Sequence, residues 1–426
     1  MSTDLELVRR GHRVPATVVT TRSGRRLSAS VARRTTESIP ASSRTARAWR
    51  WQTYAAWCTQ AGFAADEPGA VPSFLAHLAD RGHPVGTLRA FVGTLRAMLA
   101  LDQAQLDAED LKLCERVIVH RAREIADDPT AEPGPLQADS VTPEDLRAMV
   151  RALPATARGI RDRALLLLDW WMAGRCSEPA ALNLHDVVIS TADLVDEATG
   201  ELVPVPALEV HIRRSKADQQ ARGQVVRILA PDDDQELCPI TALRAWLDVL
   251  TDDEQLTAGP LFRRIDRHGR IGAAAAGRRC DDDARQGGIT ARTVRNIIQD
   301  AARAAALVPT PTSQELAEAR AAKTAAYTAA AAARSAEEGD RILARWRTAV
   351  RSTRRAIRRI TGHSMRRGFI QTALESGHPA DRVAQHSRHA PGSQAFWSYT
   401  KRLTDWRDNL TRTIDTRPTA TDRRRR

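Results

Sequence analysis

The stretch RDRALLLLDWWMAGR, Arg161 to Arg175, constrains this chain more than any other. It is too apolar to be anything but a buried helix, and the pattern ends it near Gly174. A helix of that kind needs a domain folded around it. Just upstream, SVTPEDLRAMVRALP supplies an N-cap in Thr142, a proline suited to the first helical position in Pro143, and an acid for the first turn in Asp145. Downstream come three predicted strands, at 187–189, 207–212 and 224–229. The last two flank RRSKADQQARG, a polar turn that makes them a hairpin. Helices resume with CPITALRAWLDVL and TARTVRNIIQDAARAAAL. The fold class is therefore mainly α with a small antiparallel β-sheet.

The N-terminal part is different. SSRTARAWRWQTYAAWCTQAG, from Ser42 to Gly62, sets Trp49, Thr53, Ala56 and Trp57 at steps of three and four. Further helical stretches follow at AVPSFLAHLADRG, at PVGTLRAFVGTLRAMLAL and at about 108–125. Together, residues 41–130 read as a compact helical domain with basic faces. Residues 1–40, rich in Arg, Ser and Thr, read as a flexible basic arm. DDPTAEPGPLQADS, from Asp127 to Ser140, is the linker. The second domain then runs over 138–415, with a basic tail at 416–426.

Residues 308–360 look like an insert in that second domain. Thr312 to Glu315 is a capping box opening an alanine-rich helix, which Gly339 interrupts. A second helix follows, with Ile342, Trp346, Val350, Ile357 and Ile360 on one side and most arginines on the other.

At 426 residues the chain has room for two or three domains. The formal net charge is +12 and the pI about 10.4, carried mostly by arginine, whose planar fork of donors suits phosphate. Such a balance points to nucleic acid before membranes. No apolar run approaches the length of a membrane span, and the N-terminus lacks a signal peptide's hydrophobic segment. The five cysteines, at 58, 114, 176, 238 and 280, show no CxxC or zinc spacing, which reads as reduced thiols in a cytoplasmic protein. His386 and His389 have no third metal ligand nearby in the sequence, so no metal and no cofactor is expected.

One constellation carries chemistry. In GHSMRRGF, His363 and Arg366 stand three apart, one turn along a helix. Arg175 follows the buried helix, and Glu178, three residues on, is placed to pin it. Lys216 occupies the hairpin turn. His389 precedes Tyr399 by ten residues, in RHAPGSQAFWSYTKR. Tyr399 is one of only three tyrosines, with Tyr54 and Tyr327, and it sits between Ser398 and Thr400 with Phe396 and Trp397 to anchor it. Arginines to neutralise phosphate oxygens, a protonated group for a leaving alkoxide and a phenol as nucleophile are what phosphoryl transfer without a metal requires.

The order of these residues resembles the tyrosine recombinase (phage integrase) family from about Ser42 to Arg412. RDRALLLLDWWMAGRCSEPAALNLHDV is similar to the segment holding that family's first catalytic arginine, implying Arg175 with Glu178 as its acidic companion. RRSKADQQARGQVV resembles the hairpin of the catalytic lysine, implying Lys216. GHSMRRGFIQTALESG resembles the His-x-x-Arg box, implying His363 and Arg366. SRHAPGSQAFWSYTKR resembles the His/Trp position and the nucleophile, implying His389 and Tyr399. The N-terminal helices resemble the family's core-binding (SAM-like) domain, and the second domain its mixed α/β catalytic domain. The first box departs from the usual pattern: Ala-Gly-Arg stands for Gly-Leu-Arg, and Pro179 replaces an apolar residue, tolerable if Ser177 caps the next helix.

The resemblance implies a site-specific DNA recombinase of a mobile element. It would cut and rejoin double-stranded DNA attachment sites through a 3′-phosphotyrosyl link, as a homotetramer, with accessory DNA-bending or directionality factors and without ATP, metal or membrane. Two alternatives stay open: a DNA-binding regulator that has lost cleavage, and a related telomere resolvase or type IB topoisomerase.

Overall fold

The computed structural model describes residues 5–9, 12–16, 18–20, 26–101, 106–128, 138–196, 198–215, 218, 222–253, 256–272, 287–350, 353, 356–357, 359–390 and 392–400. The chain divides into two compact units, one of residues 1–136 with 312–353, the other of residues 137–311 with 354–426.

The first unit begins with two antiparallel ribbons, β1 (Leu5–Arg9) with β2 (His12–Ala16) and β3 (Val18–Thr20) with β4 (Arg26–Ser28), followed by helix α1 (Ala29–Glu37). Leu5 stands opposite Ala16 and Leu7 opposite Val14, in the stretch that composition reads as a flexible arm. Helices α2 (Ala41–Ala61), α3 (Ala70–Asp80), α4 (Val85–Leu101) and α5 (Ala108–Asp127) form the helical bundle. Its core is aromatic: Phe74 meets Tyr54 at 5.3 Å and Phe91 at 5.2 Å between ring centroids, both edge-on. The Tyr54 hydroxyl donates to the Ala65 carbonyl at 2.8 Å, and its burial pushes the phenol pKa up.

The second unit opens with α6 (Pro143–Arg151), closed by the capping box of Thr142 and Asp145, and α7 (Ala157–Trp171). Two 3-10 turns, Pro179–Ala181 and Leu184–Asp186, lead into β5 (Val187–Val195), β6 (Leu202–Ile212) and β7 (Gln224–Leu229). These form one antiparallel sheet in that order, with Val187 opposite Val210 and Ile212 opposite Gln224. Helices α8 (Pro239–Asp248) and α9 (Ala291–Ala304) follow.

Next come α10 (Ser313–Ala331) and α11 (Ala336–Ala349), and then α12 (Gly362–Glu375), α13 (Ala380–His386) and α14 (Gln394–Thr400). Leu165 to Leu168 of α7 are fully buried, in a core with Met149, Leu208, Val210, Leu243, Trp246 and Ile298. This is the buried helix the sequence predicts. Helix α12 comes close to the chain entering α6: a Cβ on Gly368 would lie 1.9 Å from the Val141 carbonyl oxygen, so only glycine fits there.

Helices α10 and α11 cluster with the N-terminal bundle. Asp340 of α11 pairs with His77 and with Arg81 at 3.3 Å each, and the Arg347 guanidinium donates to the Arg81 carbonyl. The break between the two helices comes at Ser335, which caps α11, and not at Gly339. Gly339 instead lies buried within α11, where an added Cβ would meet the Ala330 carbonyl oxygen at 2.7 Å.

Candidate active site

The site is built where α7 runs out. Met172 caps the helix, and Ala173 takes the left-handed conformation with φ 46°, a strain of roughly 1–2 kcal/mol for a residue with a Cβ. Gly174 then packs on the Asp169 side chain, where a Cβ would come within 2.1 Å of Oδ1. This tight turn aims Arg175 from a rigid base. Glu178 receives the Arg175 guanidinium on Oε1 at 2.9 Å and the Arg175 backbone N–H on Oε2 at 3.0 Å. It stands in the cap position of the Pro179–Ala181 turn, where the sequence predicts Ser177 as the cap. Its carboxylate turns back to the arginine and does not cap that turn.

Arg366 enters from the first turns of α12 and is 1 % exposed. Its guanidinium donates to the Ala173 carbonyl at 2.6 Å and to the Ser387 carbonyl, and one Nη lies 3.2 Å from Nε2 of His389. His389 is held on its other side by the Ser387 hydroxyl, 2.8 Å from Nδ1. Tyr399 of α14 is half-buried, its ring 5.5 Å from that of His389. Gln371 donates to its backbone carbonyl at 3.1 Å, and the guanidinium of Arg367 lies over its ring. Phe396 is packed with Ile370 and Val383, and Trp397, 52 % exposed, meets its ring edge-on.

Arg175, Glu178, Arg366, His389 and Tyr399 thus come together. His363 is exposed in the first turn of α12, while Arg366, three residues on, is buried. Lys216, between β6 and β7 in the sequence, lies outside the described residues. Tyr54 is sealed in the helical bundle, and Tyr327 packs on Trp346.

Three groups in the site escape the sequence pattern. Arg388 is buried and donates to Glu178 Oε2 at 2.6 Å. Arg367 covers Tyr399. Asp169 is fully buried with no hydrogen-bond partner on either oxygen. Only Asp169 had a local signal, an acid inside the apolar run of α7.

The crowding of positive charge has consequences. Burial, with Arg175 and Arg388 close by, lowers the Arg366 pKa to about 10, so the guanidinium keeps its proton at neutral pH. Burial, then Arg366, Arg175 and Arg388, lower that of His389 to about 3, leaving a neutral imidazole. Burial and the neighbouring Glu178 raise the Asp169 carboxyl to about 8. What results is a pocket with excess fixed positive charge, poorly screened, next to a phenol. Such a pocket stabilises a phosphate that gains charge during substitution. His386 has a structural duty, with Nε2 2.8 Å from the Trp171 carbonyl and its ring stacked on Phe369.

Fold and site together define a mainly helical protein, with a three-stranded sheet, that gathers arginines, an imidazole and a phenol in one place. No family model matches the chain. An integrase/recombinase xerD homolog of Selenomonas ruminantium is 30% identical over 110 residues, which is 26% of this chain and 26% of that protein. The match therefore spans about a quarter of the relative's length. A crystal structure of XerA recombinase aligns with 91% of this chain and 96% of its own at 12% identity, with a TM-score of 0.33. In its motifs and their order, the chain resembles the tyrosine recombinase (phage integrase) family. Among the described residues, no helix is long and apolar enough to cross a membrane.

Proposed function

We propose that this protein is a site-specific DNA recombinase that cuts and rejoins duplex DNA through a covalent tyrosine link. The observation that carries the reading is the grouping of Arg366, His389 and Tyr399, with 3.2 Å between the first two and ring packing between the last two. Arg175, pinned by Glu178, joins them.

Arg175 and Arg366 bind the non-bridging oxygens of the scissile phosphate, and His389, neutral, donates a further hydrogen bond. The Tyr399 oxygen attacks phosphorus as its proton passes to His363. A bond forms between that oxygen and phosphorus as the bond from phosphorus to the 5′ oxygen breaks. The departing 5′ oxygen takes up a proton from Lys216, and His363 assists proton transfer at the exposed mouth. A 5′-hydroxyl from a second strand reverses the steps, so the energy of the phosphodiester is kept. Attachment-site DNA, a homotetramer and accessory bending or directionality factors complete the proposal, with the bacterial or phage DNA of the cytoplasm as its setting.

The test uses a pool of nicked duplexes with randomised arms, since a nick lets the cleaved end diffuse away and traps the adduct. Recovery of protein–DNA adducts that map to Tyr399 supports the reading. Absence of any adduct, or adducts on another residue, overturns it. Rejoined exchanged strands, as opposed to closed hairpin ends or merely relaxed circles, separate recombination from telomere resolution and topoisomerase action.

A further inference from the structure

Arg388 is in a costly position twice over. It takes a left-handed backbone at φ 59°, which residues with a Cβ rarely adopt, and it buries a guanidinium beside two others. Strain held at a site in this way calls for a compensating role. The contacts say what that role is. One terminal nitrogen donates to Glu178 Oε2 at 2.6 Å and to the Ala173 carbonyl at 3.2 Å. The other donates to the Met172 carbonyl at 2.7 Å and the His386 carbonyl at 3.3 Å.

Both acceptors of the first nitrogen are shared. Glu178 also holds Arg175 by its guanidinium and its backbone N–H, and the Ala173 carbonyl also accepts from Arg366 at 2.6 Å. We propose that Arg388 is a positioning residue that fixes the two phosphate-binding arginines relative to one another, Arg175 through Glu178 and Arg366 through the Ala173 carbonyl. The inference rests on the recombinase reading of the site. Without Arg388, Oε2 of Glu178 loses its strongest donor while staying buried, and the carboxylate turns to the Arg175 guanidinium for both oxygens. That draws Arg175 away from the phosphate. A lysine cannot replace the fork, because a single ammonium does not span Glu178 and the Met172 carbonyl in one plane.

Backbone and side chain can be separated. Glycine enters φ 59° without strain, so Arg388→Gly keeps the turn that sets Ser387 and His389 while removing the side chain and its guanidinium. The experiment is single-turnover cleavage of a nicked duplex that the wild-type chain has selected from the randomised pool. Cleavage by Arg388→Gly is expected to fall roughly a hundredfold, the scale of misplacing a preorganised charge donor, with DNA affinity retained. Added methylguanidinium should restore much of the rate by filling the vacated space, and Arg388→Lys should remain slow.

Wild-type cleavage by Arg388→Gly, or a loss matched by an equal loss of DNA binding, overturns the proposal. If the glycine variant does not fold, the lysine variant decides: slow cleavage with normal binding supports the fork, and a wild-type rate refutes it. If the wild-type chain itself yields no adduct at Tyr399, the recombinase reading has failed and the inference falls with it. That outcome is recognised from the wild type alone.

Discussion

The guanidinium of Arg367 stands over the ring of Tyr399, 5.3 Å from its centroid. Arg366, next in the chain, turns the other way, to the Ala173 and Ser387 carbonyls. Consecutive arginines on one helix thus face the proposed nucleophile and the Ala173–Ser387 side separately. A cation over a partly buried ring contributes about 0.5–2 kcal/mol. Arg367→Met, which keeps the stem and removes the charge, should therefore slow Tyr399 adduct formation roughly two- to thirtyfold. Single-turnover cleavage measures it. An unchanged rate would make the contact incidental to catalysis.

Tyr399→Phe deletes one oxygen and leaves the ring between His389 and Arg367. Covalent adducts should vanish while duplex affinity stays within a factor of about two, because the backbone contact to Gln371 and the packing of Phe396 are untouched. Denaturing gels for the adduct and a filter-binding titration for affinity check the two halves. Adducts that persist and map to Tyr327 would refute the assignment.

Arg175→Ala and Arg366→Ala should each cost at least about a hundredfold in cleavage, but only the second should also cost stability. Arg175 points one guanidinium edge at Glu178 and is partly exposed. Arg366 is buried and donates to the Ser387 carbonyl, and to the Ala173 carbonyl that Arg388 also serves. Leaving the Ser387 carbonyl without its donor costs about 1–3 kcal/mol. Denaturant melts beside the cleavage assay separate the pair, and equal stability losses would contradict the burial argument.

Asp169 gives a pH signature. The carboxyl ionises near 3.8 in the unfolded chain and near 8 in the fold, raised by burial and by Glu178. Between those values the native state binds more protons than the unfolded state. The stability that Asp169 contributes is therefore full below about pH 4 and falls as pH rises, with a slope of up to about 1.4 kcal/mol per pH unit, until it is lost above about pH 8. Asp169→Asn cannot ionise, so it should flatten this part of the profile and be relatively more stable at pH 8.5 than at pH 5. Urea midpoints at the two values test it. A variant whose midpoint moves with pH as the wild type's does would assign the titration elsewhere.

What could be read in the sequence was local. The apolar run at Leu165–Leu168, the N-cap at Thr142 and the capping box at Thr312 need only neighbours within four residues, and each forms as its pattern predicts. Arg175, Arg366 and Tyr399 were legible because their order repeats a family's motifs. Arg388 was not, since its partner Glu178 lies 210 residues away and a left-handed arginine leaves no mark on composition. The attachment of α10 and α11 was hidden for the same reason. Asp340 and Arg347 look like any surface charges until His77 and Arg81 are placed opposite them.

That attachment has a test built into two glycines of the N-terminal unit. Gly62 and Gly82 are both left-handed, at φ 79° and 77°. Around Gly62 a Cβ would find open space, whereas at Gly82 it would meet the Ala344 Cα at 3.0 Å and its Cβ at 3.2 Å. Gly62→Ala should therefore cost only the conformational term, about 1–2 kcal/mol. Gly82→Ala should cost that plus overpacking against α11, about 1–3 kcal/mol more. Hydrogen exchange locates the difference. Protection across Ala336–Ala349 should drop in Gly82→Ala and hold in Gly62→Ala, because only the first pushes on that helix. Equal protection in both variants would mean that α11 does not rest on the His77–Gly82 edge of the bundle in solution.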